Sequence, residues 1–116
     1  MMSNYNRLSY MFDAQVKFQK KISSCANLPA YDKENYKYHL VAMLEELGEV
    51  LASDKRWKTY RNEKYDEKNK MEELADVLIT FMNICIFSGF DIVDIMDITG
   101  NKIIENMKRL EIANNN

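Results

Sequence analysis

The chain has 116 residues, 47% of them hydrophobic and 29% charged, with a formal net charge of -2 and a pI near 5.4. That length is one domain's worth and supports a single modest core. The charge total excludes a strong pull toward nucleic acid or anionic membrane as the organising interaction.

Only three glycines and one proline occur. Long helices with few breaks are therefore expected, without β-hairpin signals or internal repeats, giving one all-α domain over residues 1–116. No stretch reaches the ~20 apolar residues of a transmembrane helix. The polar first ten residues carry no signal-peptide run, so a cytoplasmic location is expected. Cys25 and Cys85 fit no metal or redox spacing and read as reduced core residues.

The first helix is expected over residues 4–25, stopped by Asn27-Leu28-Pro29. Leu8, Met11, Phe18, Ile22 and Cys25 recur at helical spacing, with Gln15 in the middle of their stripe. Asp32 is placed to cap a second helix running to about residue 54, with Leu40, Met43, Leu44, Leu47, Val50 and Leu51 as its apolar face. A linker over residues 55–68 follows and contains Arg56-Trp57-Lys58. A structureless linker of that length is uncommon in a compact domain unless it serves a function. Asn69 with Glu72 reads as a capping-box-like start for the third helix. That helix should end at Ser88-Gly89, where glycine suits a left-handed cap. Its apolar stretch over residues 77–87 is interrupted by Thr80 and Asn83, as in a buried core helix. Asp91 can cap a fourth helix to about residue 112, with a bend at Thr99-Gly100 and a frayed Asn114-Asn115-Asn116 tail.

Glu46 and Glu49 on the second helix, and Glu73 and Asp76 on the third, are each spaced i, i+3 and so share a helix face. Glu73, Asp76, Thr80 and Asn83 form one polar line down an otherwise apolar helix. If the two helices pack together, four carboxylates converge, and they must either take up protons or bind a cation. Oxygen-only donors favour a hard ion, Mg²⁺ or Mn²⁺, with positions left for water and phosphate oxygens. Without such packing, the same spacing describes a solvated face with local ion pairs. A mid-helix glycine, Gly48, fits a close approach by a backbone or ligand.

On the last helix Lys102, Asn106 and Arg109 lie at i, i+4 and i+7, on one face. Facing the acids, they would hold the oxygens of a triphosphate. Otherwise they complement the helix dipole.

Glu46-x-x-Glu49, Glu73-x-x-Asp76 and Lys102-x-x-x-Asn106-x-x-Arg109, in that order, resemble the signature of the all-α NTP pyrophosphatases. That superfamily includes MazG-like enzymes, dimeric dUTPases and dCTP pyrophosphatases. The Glu45-Glu46 doublet and Trp57-Lys58 pair are similar to it too. The resemblance implies a four-helix MazG-like bundle carrying Mg²⁺ on Glu46, Glu49, Glu73 and Asp76. It further implies hydrolysis between the α and β phosphates of a (d)NTP, by water that Glu49 or Glu46 orients and deprotonates. Lys102, Asn106 and Arg109 would bind phosphates. Gln15 could meet the base edge, Phe18 or Trp57 could stack on the base, and Lys58 and Asn83 are further substrate-binding candidates. House-cleaning of the nucleotide pool is compatible with this activity.

A di-iron bundle needs Glu-x-x-His motifs, and the single histidine, His39, is misplaced for one. It lies two turns before Glu46, where it could touch a phosphate or serve as a structural residue. A non-enzymatic dimerisation or regulatory module, and a diphosphatase restricted to dUTP, are the alternatives. The apolar third helix and abundant Met and aromatic residues lead us to expect a homo-oligomer, dimer or tetramer, as the resemblance also implies.

Overall fold

The structure is a computed structural model and describes residues 4–58 and 64–115. Four helices follow one another: α1 (Asn4–Ser23), α2 (Lys33–Ser53), α3 (Glu67–Ser88) and α4 (Ile92–Asn114). No strand occurs among the described residues. The middle of the expected linker, residues 59–63, and the final Asn116 lie outside them.

Local chemistry sets the helix boundaries. The carboxylates of Asp32, Asp66 and Asp91 accept backbone N–H groups of Asn35, Asn69 and Val93, capping α2, α3 and α4. Such caps stabilise a helix start by about 1 kcal/mol each. The cap of α3 corrects the expectation for Asn69. Asp66 offers an acceptor three residues earlier, so Asn69 falls inside the first turn and the linker is shorter. Gly89 ends α3 in the left-handed conformation, φ 82°, and its N–H donates to the Ile86 carbonyl at 3.2 Å. A β-carbon there would be in ordinary contact with the Tyr31 backbone nitrogen at 3.4 Å, so the positive φ alone is what favours glycine. The last helix continues through Gly100 as one element.

Helices α2 and α3 form an antiparallel hairpin. At one end the Lys70 ammonium lies 2.9 Å from Asp54 Oδ2. At the other, the Ala30 and Asp32 amides donate to the Ile86 and Phe87 carbonyls, both at 3.1 Å. The core lies at this second end. Phe12 and Val16 of α1, Leu28, Met82, Cys85, Ile86 and Phe87 of α3, and Ile92 of α4 bury one another there. Cys25 and Cys85 are both free thiols.

The faces that pack differ from the expected ones. In α1 the buried line is Phe12, Val16 and Gln19, while Met11, Phe18 and Ile22 are exposed. In α2, Leu40, Leu44, Leu47 and Leu51 form an exposed stripe. His39, Met43, Glu46 and Val50 are the buried or half-buried line instead. The expectation that α3 is covered on most sides holds only for its last two turns, residues 82–88. Met71, Leu74, Leu78 and Phe81 are exposed at three-, four- and three-residue steps. Both stripes are rotated by roughly 120° in the same sense from the α2–α3 contact line. In antiparallel helices that rotation puts them on one side of the hairpin. The last helix leaves α3 at 111°, and from Asn101 onward its described residues are all exposed. A compact chain near this length has a radius of gyration of about 13 Å, whereas this one measures 17.8 Å. No single helix is long and apolar enough to cross a membrane.

His39 is buried and stacks on Phe87 with centroids 5.4 Å apart. Burial pushes its pKa below the ordinary value of 6.5, so it sits neutral against the core. The unfolded chain therefore takes up this proton at a higher pH than the folded one. Stability is complete above the unfolded value and declines as pH falls through it toward the folded value. Melts between about pH 7.5 and about pH 5 should show a falling Tm, and His39→Phe should flatten that slope. An unaltered slope in the variant would refute this assignment. Phe87 is fully buried, and Phe87→Ala should cost about 3–5 kcal/mol in denaturant titrations.

Candidate active site

The hairpin brings the two acidic pairs together. One oxygen from each of Glu46, Glu49, Glu73 and Asp76 can be chosen so that all four lie within 4.8 Å of one another. Glu46 and Glu73 are half-buried, and Glu49 and Asp76 are exposed. Oε2 of Glu46 and Oε2 of Glu73 are buried without a hydrogen-bond partner. Burial raises the Glu46 pKa, with the charges of Glu49 and Asp76 adding to the effect. Glu73 is raised first by its hydrogen-bonding contact with Glu49, then by burial and by the Glu49 and Asp76 charges. No described Lys or Arg pairs with any of the four. Two orphaned acceptors in an all-oxygen donor set fit a hard divalent cation.

A clamp that sequence reasoning missed holds this arrangement. Asp54 is buried and accepts from the Arg56 guanidinium at 2.8–3.1 Å and from Lys70 at 2.9 Å. Arg56 and then Lys70 hold the Asp54 carboxyl far below the usual carboxylate range. Arg56 in turn covers the Tyr65 ring at 3.8 Å. The clamp lies five residues after Glu49 and three before Glu73, so it sets the register between the acidic pairs. The signal available in the sequence was a Lys in the first turn of α3 facing a helix-ending Asp.

The polar line of α3 continues beyond the acids. Thr80 is buried, and its hydroxyl donates back to the Asp76 carbonyl at 2.9 Å. Asn83 Oδ1 accepts from Gln15 Nε2 at 2.9 Å and Gln19 Nε2 at 3.1 Å. Gln15 and Asn83 are thus brought together, roughly 10 Å along the helix from Asp76. Gln19 was missed, although its i, i+4 relation to Gln15 marks the same face.

Other candidates stand apart. Phe18 and Trp57 are exposed. The Trp57 indole donates to the Leu51 carbonyl at 3.2 Å, anchoring the linker to α2, and Lys58 Nζ lies 5.2 Å from the Trp57 ring centroid. Lys102, Asn106 and Arg109 are exposed on α4. The 111° turn and the 1.5 Å rise per residue put the Lys102 backbone roughly 20 Å from Asp76. Within one chain the basic line is therefore not brought to the acids.

An all-α chain that gathers four carboxylates between two antiparallel helices has the architecture of a helical nucleotide pyrophosphatase. The chain matches the family model described as dUTPase over residues 7–114 and belongs to that family. Membership supports an activity of the dUTP diphosphatase kind, in a hydrolase acting on triphosphates. No curated protein and no solved structure gives a match.

Cation binding should relieve the repulsion among the acids. Millimolar Mg²⁺ or Mn²⁺ should raise the Tm of the wild-type chain by several degrees, since a ligand of the folded state stabilises it. Glu73→Gln should abolish that rise while leaving the cation-free protein at least as stable. An equal cation-induced shift in the variant would count against the site.

Proposed function

We propose that the chain is a Mg²⁺-dependent nucleoside triphosphate pyrophosphohydrolase, converting a (d)NTP to (d)NMP and pyrophosphate. The observation that carries this reading is the four-carboxylate cluster with its two orphaned buried oxygens. Glu46, Glu49, Glu73 and Asp76 would hold the cation. When bound, Mg²⁺ supplies Lewis-acid stabilisation of charge on the phosphate oxygens, and Mn²⁺ can stand in for it.

The chain's own residues supply the rest. Water attacks the α-phosphorus in line; a new O–P bond forms as the bond to the α–β bridging oxygen breaks. That oxygen keeps the bonding electrons and departs with pyrophosphate. The water proton passes to Glu49 or Glu46, of which Glu49 is the more open to solvent. From the acids, sugar and base extend along the polar line of α3 toward Gln15 and Asn83, about a nucleoside's length away. Phe18 and Trp57 are the aromatic residues available for stacking, with Lys58 beside Trp57. Lys102, Asn106 and Arg109 hold phosphate oxygens in the assembled protein, a homo-oligomer. Nucleotide-pool house-cleaning is the corresponding cellular role. A narrower reading, hydrolysis of dUTP alone, is favoured by the family's description.

Incubation with a panel of nucleoside triphosphates and Mg²⁺ tests both readings. Pyrophosphate and a monophosphate should appear in equal amounts, with dUTP among the substrates, and EDTA should stop the reaction. Glu49→Gln, Glu73→Gln and Asp76→Asn should each lower kcat by at least roughly 100-fold. Absence of pyrophosphate with every nucleotide, or full activity of Glu73→Gln, would sink the proposal.

A further inference from the structure

A cavity of ≈ 490 Å³ runs along α2, lined by Glu34, Lys37, Tyr38, Val41, Ala42 and Glu45. Small-molecule pockets span about 300–1,000 Å³, so a nucleoside is within its capacity. Its position follows from helical rotation. Glu45, Ala42 and Tyr38 lie roughly opposite the leucine stripe of α2, and Asp76 and Asn83 lie roughly opposite the exposed apolar stripe of α3. In an antiparallel pair both sets therefore look out on the same side of the hairpin.

Glu45 precedes Glu46 and stands one turn before Glu49, so the cavity begins at the acidic cluster. From there Tyr38 is seven residues along α2, just as Asn83 is seven residues along α3 from Asp76. Because the helices run antiparallel, the two steps lead toward the same end and cover the same distance, roughly 10 Å. Tyr38 thus lies at the level of the Gln15–Asn83 hydrogen bond. Trp57, beyond the C-terminus of α2, lies on the other side of the acids.

The chemistry of the lining changes along this length. Glu45 stands at the inner end and Glu34 with Lys37 at the outer end, while Tyr38, Val41 and Ala42 make an apolar wall between them. Such a wall suits a flat, uncharged ring with polar edges. Tyr38 is 67% exposed, yet its ring is held. It stands perpendicular to the His39 imidazole with centroids 5.0 Å apart, and His39 in turn stacks on Phe87 in the core. An exposed ring fixed in this way loses little freedom when a base stacks on it.

We propose that this cavity is the nucleobase pocket and that Tyr38 is its stacking residue, with the sugar along Val41 and Ala42 and the α-phosphate at the acids. The proposal deepens the pyrophosphohydrolase reading and rests on it for the reaction at the inner end, while base stacking has its own readout.

Kinetics with the best nucleotide substrate form the first arm of the test. Tyr38→Ala should raise KM about tenfold, the loss of one base–aromatic stack, with kcat changed less than about twofold. Tyr38→Phe, which keeps the ring, should recover most of that loss. An unchanged KM in Tyr38→Ala, or a fall confined to kcat, would overturn the proposal and leave the enzymatic reading intact.

The second arm needs no turnover. In protein labelled at its tyrosines, the Tyr38→Phe variant identifies the Tyr38 ring resonances by their loss. At least one of dUMP, dTMP, dCMP, dAMP and dGMP, in millimolar excess with Mg²⁺, should shift them. The resonances of Tyr65, under Arg56 at the other end of the hairpin, should stay in place. Tyr38 resonances unmoved by every monophosphate would overturn the pocket. A chain that releases no pyrophosphate from any nucleotide, yet shows the Tyr38 shift, would refute the enzymatic reading and leave the pocket supported.

Discussion

Repulsion among four carboxylates between two packed helices is the constraint around which the rest of this fold is arranged. Bringing like charges within 4.8 Å in a partly dry seam is unfavourable. The hairpin must therefore be held by contacts elsewhere. Asp54, Arg56 and Lys70 hold one end, and the core around Phe87 and Ile86 holds the other. The acids lie between these two fastenings, so neither pair can slide along its helix to escape the other. A bound cation would offset the burial and like-charge repulsion that raise the pKa of Glu46 and of Glu73.

The third helix serves both tasks, and its sequence shows the division. Toward its C-terminal end Cys85, Ile86 and Phe87 are buried in succession, and Asn83 is the buried polar residue that faces α1. Its N-terminal half carries the acids on one line and exposed apolar residues on another. Gln15, Gln19 and Asn83 tie α1 across the junction between these halves. A polar network in that position fixes the rotation of α1 about its own axis, because a small twist would leave buried amides unpaired.

Most of the helical framework was legible in the sequence because it depends on local chemistry. Asp32, Asp91 and Gly89 end or begin helices through hydrogen bonds to residues two to four positions away, and the i, i+3 acids share a face wherever a helix forms. The choice of buried face was not legible. Both α1 and α2 carry two apolar lines, and periodicity identifies each line without saying which one meets the rest of the chain. Phe12 and Val16 pack while Met11, Phe18 and Ile22 do not, a result set by the placement of α3. Asp54 escaped notice for a similar reason: its partners lie in the linker and across the hairpin, and nothing in its immediate neighbours marks it as buried. The acidic cluster was legible only on the condition that α2 and α3 pack, which the antiparallel hairpin satisfies. The basic line was legible as a line, but its distance from the acids depends on the 111° turn at Gly89, which no spacing rule encodes.

The exposed apolar lines bear on stability as well as on assembly. Among the described residues, eight apolar side chains make the core of a chain that is 47% hydrophobic. Far more large apolar side chains remain in contact with water than are removed from it. A core of that size offsets little more than the conformational entropy of the segments that build it. The outer parts of α2, α3 and α4 gain little burial within the chain, so their order depends on helix propensity, caps and the surfaces they meet. Any contact that covered those surfaces would add to the stability of the helices that carry them, because it removes apolar area from water without ordering a new segment.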